Sequence, residues 1–145
     1  MLKKKMRKGM NDQINAEMFS AYLYLSMENY FQSISLRGFA AWMRVQAQEE
    51  MTHAMKFYDF IHERGGKVSL ETIAKPEATW ESPLAAFEAV LAHEQHVTSL
   101  INDIYAAAFE AHDYRTMNFL SWFIEEQQEE EDNADTMVTR MKLFG

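Results

Sequence analysis

Cysteine is absent from the 145 residues, which rules out disulfides, thiolate metal ligands and thiol nucleophiles together. Two prolines and five glycines are all the punctuation the chain has, too little for the many turns of a sheet protein, so a few long helices are expected. Positive charge is the scarcer sign, with 14 Lys and Arg against 22 Asp and Glu and a formal net charge of -8. Such a chain is a poor ligand for nucleic acid and a good neighbour for cations. No apolar run approaches the roughly 18 residues that a membrane span requires. The basic start, Lys3, Lys4, Lys5, Arg7 and Lys8, leads into Asn11-Asp12-Gln13, where a signal peptide would need apolar residues. The expectation is a cytoplasmic protein forming a single domain over residues 1–145, with no membrane and no nucleic acid as partner.

What is present is most informative around Gln46 to Phe57. Phe39, Met43, Gln46, Glu50, His53, Phe57 and Phe60 follow the alternating steps of three and four that mark a buried helix face. Glu50 and His53 interrupt that face. A charge on a core stripe costs several kcal/mol unless an opposite charge or a metal ion meets it.

Four helices can be read, with this stretch on the second. The first spans about residues 6–31, with Ile14, Glu17, Ala21, Tyr24 and Glu28 on its inner face, and ends at the break Ser33-Ile34-Ser35. The second starts near Leu36 and stops at Gly65-Gly66, a natural C-terminal cap. Residues 67–81 carry no periodicity and are long for a connection, as a crossover along a bundle would be. Ser82-Pro83 reads as an N-cap followed by proline at the first helical position. It opens a third helix with the stripe Leu84, Phe87, Leu91, Glu94, Thr98, Ile101, Tyr105 and Ala108. Asp113 can cap a fourth, striped by Leu120, Phe123, Gln127, Glu130, Ala134, Met137 and Met141. The fold expected is all-α: a four-helix bundle, up-down-down-up, with one long crossover between helices two and three.

Counting outward from each turn sets the level of the polar interruptions. Glu17 and His53 each lie about eighteen residues from a first turn near residue 35, and Glu94 and Glu130 about eighteen from a second near residue 112. Glu50 and Glu94 stand at similar depths from their helix starts. One carboxylate from each helix is thus expected at one level of the core, where four negative charges without counter-ions would repel one another. Two divalent cations balance them. One Glu from each of three helices with Glu-x-x-His from the fourth is close to the pattern of di-iron and di-manganese carboxylate bundles.

The segments Gln13-Ile14-Asn15-Ala16-Glu17, Ala21-Tyr22-Leu23-Tyr24, Gln48-Glu49-Glu50-Met51-Thr52-His53-Ala54, Glu63-Arg64-Gly65-Gly66, Ser82-Pro83-Leu84, His93-Glu94 and Glu126-Gln127-Gln128-Glu129-Glu130-Glu131 resemble those of the prokaryotic non-haem ferritins over nearly the whole chain. The resemblance implies that Glu17, Glu50 and His53 hold one iron and Glu50, Glu94 and Glu130 a second, with Glu50 bridging. It implies Gln127 hydrogen-bonded near the pair, Tyr24 close by, and a third iron site from Glu49, Glu126 and Glu129 sharing Glu130. Two irons per chain would give electrons to dioxygen or hydrogen peroxide, and the ferric product would be stored as mineral in a homo-oligomeric shell of twenty-four subunits. The family's short fifth helix has no counterpart before the sequence stops at Lys142-Leu143-Phe144-Gly145, so wider or less ordered four-fold openings are expected.

Met51 stands where bacterioferritins carry their haem-ligating methionine. With eleven methionines in the chain, core filling is the simpler reading of it. Glu130 stands where those proteins repeat Glu-x-x-His, so no haem is expected. His62, His93, His96 and His112 read as surface residues. Two other readings remain open: a rubrerythrin-like di-metal peroxide scavenger, which without cysteine lacks a rubredoxin half, and a metal-free helical interaction module.

Overall fold

The computed structural model describes residues 2–144. Met1 and Gly145, the outermost residues of the basic start and of the Lys142 to Gly145 end, lie outside the described residues. Among the described residues four α-helices follow in order: α1 (Lys4–Ser33), α2 (Arg37–Glu63), α3 (Pro83–Glu110) and α4 (Tyr114–Phe144). They group into two compact units, one ending at Trp80 and the other beginning at Glu81.

The first unit is the hairpin of α1 and α2. Its turn is closed by Leu36 N–H donating to the Phe31 carbonyl (2.9 Å) while Ser35 takes φ 62°, the left-handed step that satisfies the last carbonyls of a helix. The same device ends α2, where Gly66 N–H donates to the Ile61 carbonyl at 2.8 Å and Gly65 takes φ 70°. Space at Gly66 is tight, since a Cβ there would stand 3.0 Å from the Ile61 side chain, which would have to shift. At the open end of the hairpin, Leu2 N–H reaches the Arg64 carbonyl, which fixes the pair as antiparallel. Stripe residues Ile14, Glu17, Ala21, Tyr24 and Glu28 of α1 are all buried, as are Met43, Gln46, Glu50, His53, Phe57 and Phe60 of α2.

Residues 67–80 contain no regular structure and run as a strap along α1. Asn11 donates to the Lys67 carbonyl (3.0 Å) and accepts from Ser69 N–H (2.7 Å). Further on, Asn15 donates to the Thr72 carbonyl (3.1 Å) and Ser26 to the Glu77 carbonyl (2.6 Å). Trp80 closes the strap edge-on against Tyr30, with ring centroids 5.5 Å apart. Side chains of α1 therefore satisfy a backbone that has no ladder of its own.

The second unit is the hairpin of α3 and α4. Ser82 caps α3 by accepting from Ala85 N–H at 3.0 Å, with Pro83 at the first position. Asp113 caps α4, accepting from Thr116 N–H (3.1 Å) and from the Thr116 hydroxyl (2.7 Å). Between them His112 takes φ 55° as Asp113 N–H donates to the Ala108 carbonyl at 2.9 Å. The buried face of α3 is centred differently from the sequence expectation. Val90, Val97 and Ile104 are buried beside Phe87, Glu94, Ile101 and Ala108, whereas Leu84, Leu91, Thr98 and Tyr105 flank the face half-exposed. In α4, Leu120, Phe123, Gln127, Glu130 and Ala134 are buried, and Val138 takes the place expected for Met137 and Met141.

Candidate metal centre

In the first unit Glu17, Glu50 and His53 converge. All three are buried, at 0%, 1% and 3% exposure, and each offers a ligand atom within 4.8 Å of the others. His53 follows Glu50 by three residues, so both project from one face of α2, while Glu17 arrives from α1. His53 Nδ1 lies 3.3 Å from Glu50 Oε2 and 3.8 Å from Glu17 Oε2. Ligand atoms each about 2.1 Å from a shared ion stand roughly 3 to 3.5 Å apart, so the Glu50 spacing suits a common cation and the Glu17 spacing is slightly wide of it.

The environment keeps Glu17 charged. Burial, the largest single influence, pushes its carboxyl up, but His53, Glu50 and Gln13 together outweigh it and hold the group below its ordinary value of 4.5. Gln13 Nε2 donates to Glu17 Oε1 at 3.1 Å. That contact was not anticipated from sequence, although i, i+4 spacing on the α1 face was the available signal. Glu28, the other acid on the same stripe, is handled differently: Arg44 Nε donates to its Oε2 at 2.7 Å. One buried glutamate of α1 meets a guanidinium, and the other a neutral amide and an imidazole.

In the second unit Glu94, Gln127 and Glu130 are all buried. Gln127 Nε2 lies 3.1 Å from Glu94 Oε2, 3.2 Å from the Glu94 carbonyl and 3.2 Å from Thr98 Oγ1. Thr98 Oγ1 donates to Glu131 Oε2 at 2.5 Å. Thr98 and Glu131 were not anticipated as partners in this cluster.

The remaining expected site residues are less enclosed. Glu49 and Glu126 are half-buried and Glu129 is exposed, while Tyr24 is fully buried in the first unit. His62, His96 and His112 are exposed and His93 is half-buried. Met51 is a correction. It is 41% exposed and lines a groove of about 660 Å³ on the first unit with Met18, Tyr22, Leu25 and Ile73, so it does not fill the core. The physical reason is helix phase: one residue beyond the inward Glu50, it is turned about 100° away from the core.

Two helical hairpins, each with acidic residues buried in its core stripe, define the class of carboxylate-bearing helical bundles. A ferritin-like domain profile matches residues 7–144, and the chain belongs to the ferritin family. The bacterial non-heme ferritin of Bacteroides fragilis is 41% identical over 145 residues, all of this chain and 91% of the relative. That of Campylobacter jejuni is 39% identical, again over the whole chain and 87% of the relative. Among solved structures, an open pore ferritin from the hyperthermophilic archaeon Archaeoglobus fulgidus matches with a TM-score of 0.98 and 51% identity, covering 99% of this chain and 88% of that one. The fold is thus the ferritin four-helix bundle. Among the described residues no helix is long and apolar enough to cross a membrane.

Proposed function

We propose that this chain is a cytoplasmic iron-storage protein that binds Fe²⁺ inside its bundle, oxidises it and retains the ferric product in a shell built from many copies of itself, twenty-four by family resemblance. Fe²⁺ is the substrate. In this reading Glu17, Glu50 and His53 take one ion, and Glu50, Glu94 and Glu130 a second. Glu50 offers an oxygen to each, as carboxylates do between metals about 3.5 to 4 Å apart. Gln127 and Tyr24 line the pair, and Glu49, Glu126 and Glu129 with Glu130 take a third ion.

The donor set suits the chemistry. Four carboxylates are hard, anionic ligands that stabilise Fe³⁺ more than Fe²⁺, and one imidazole retains affinity for the reduced ion. Two Fe²⁺ each release one electron to dioxygen, which leaves as hydrogen peroxide. Hydrogen peroxide can take two electrons in the same way and leave as water. Water supplies the oxygens of the ferric product; of the protons it sheds, two go to the reduced oxygen species and the rest pass to solvent. The observation that carries the reading is the buried Glu17, Glu50 and His53 cluster, whose atoms are spaced for a shared ion. Membership of the ferritin family supports it.

Aerobic titration of the metal-free protein with Fe²⁺ tests it. A fast oxidation saturating at about two to three ions per chain is expected, followed by slower uptake of many more into a soluble product. Absence of a saturable fast phase would overturn the reading.

A further inference from the structure

We propose that Thr98 and Glu131 are positioning residues that set which end of the Gln127 side-chain amide faces the Fe²⁺ sites. This rests on the function proposed above. The amide is 1% exposed, and one end of it meets the Glu94 carbonyl, Glu94 Oε2 and Thr98 Oγ1 at 3.1 to 3.2 Å. A backbone carbonyl only accepts hydrogen bonds, so the end that faces it is the NH₂. The other end, Oε1, is buried and makes no hydrogen bond. It is a hard oxygen donor left over at the level of Glu94, which is what a cation or a water bound to one would use.

The Thr98 hydroxyl has one proton and two acceptors in reach, the Glu94 carbonyl at 3.0 Å and Glu131 Oε2 at 2.5 Å. The shorter contact is in the range of a charge-assisted bond. With its proton committed to Glu131, the hydroxyl can meet Gln127 only as an acceptor, and so selects the NH₂ end. This matters most when Fe²⁺ engages the Glu94 carboxylate, because the amide then shares one of its acceptors with the metal. The Glu94 carbonyl and Thr98 remain to hold the orientation. Without the hydroxyl only that carbonyl opposes a turn of the amide, and a turned amide presents nitrogen, which does not ligate.

The test compares Thr98→Val, which keeps the shape and loses the hydroxyl, with Thr98→Ser and Glu131→Gln. Two readouts are used: the visible absorption of Co²⁺ bound in place of Fe²⁺, and the fast phase of aerobic Fe²⁺ oxidation. Thr98→Val is expected to alter the Co²⁺ bands and slow the fast phase roughly tenfold, the scale at which supporting groups act on metal sites, without changing Fe²⁺ stoichiometry. Thr98→Ser should restore both, and Glu131→Gln should lie between. Parental spectrum and rate in Thr98→Val would overturn the proposal, as would equal impairment in Thr98→Ser, which would mark a packing role. If Thr98→Val fails to fold, parental behaviour of Glu131→Gln overturns it instead. A parent protein that binds no Co²⁺ and oxidises no Fe²⁺ would sink the functional reading itself, a separate result.

Discussion

At the scale of single residues, the contrast between two glutamates on one helix face separates structure from chemistry. Glu28 is buried against the Arg44 guanidinium, so its charge is neutralised within the chain. Glu17 is buried against Gln13 and His53, partners that leave room for an added cation. Sequence alone placed both on the stripe and could not tell them apart, because Arg44 lies sixteen residues away on the next helix. If Glu17, Glu50 and His53 take one Fe²⁺ and Glu130 helps take the other, removing a ligand of either ion should disable the two-electron step. His53→Ala and Glu130→Ala are each expected to slow fast Fe²⁺ oxidation by roughly a hundredfold or more, since even groups that only support a ligand cost ten- to a hundredfold. Helix content should be retained. Stopped-flow measurement of the initial rate checks this, and a parental rate in either variant removes that residue from the site.

At the scale of elements, helix ends and helix phases were legible to different degrees. Ser82-Pro83, Asp113 and Gly65-Gly66 announce their roles through residue chemistry, and the capping bonds are present. The other two left-handed positions, Ser35 and His112, carry no such mark, because a non-glycine there is tolerated only when the surrounding turn imposes it. The phase of α3 was blurred for another reason. Leu84, Val90, Leu91, Val97 and Leu100 lie on both flanks of the Glu94 line, so apolar spacing alone permits two neighbouring faces. Tertiary packing chose the one with Val90 and Val97, which puts Thr98 at the edge where it meets Gln127. His112 offers a direct test of the strain argument. His112→Gly removes the Cβ penalty of the left-handed region at some cost in unfolded-chain entropy, and should raise stability by up to about 1 kcal/mol. Denaturant midpoints of the metal-free protein check it, and a lowered midpoint would show that the His112 side chain contributes more than its backbone costs.

At the scale of the whole molecule, the question is what covers the apolar surface that one chain leaves open. On the first unit, Tyr22 and Leu25 are each 49% exposed and Met51 is 41% exposed, and these three line the same groove of about 660 Å³. On the second, Phe109 and Tyr114 are 64% and 69% exposed. Exposed aromatic and methionine surface of this kind suits a protein interface. Met51, which the sequence assigned to core filling, is part of this exposed surface. Storage requires an enclosed space, which a chain of 17.0 kDa provides only by assembling. Analytical ultracentrifugation at micromolar concentration is therefore expected to show a particle many times that mass. Charged substitutions in the groove, Leu25→Glu with Met51→Lys, should break it into small species, because each places a charge where apolar burial contributes about 25 cal/mol per Å². Those species should still oxidise Fe²⁺ rapidly, since neither residue is a ligand in the proposed sites, but the ferric product should precipitate outside the protein. A parent chain that sediments as a monomer would refute storage and leave oxidation standing, whereas an intact particle in the double variant would show that assembly rests on other faces.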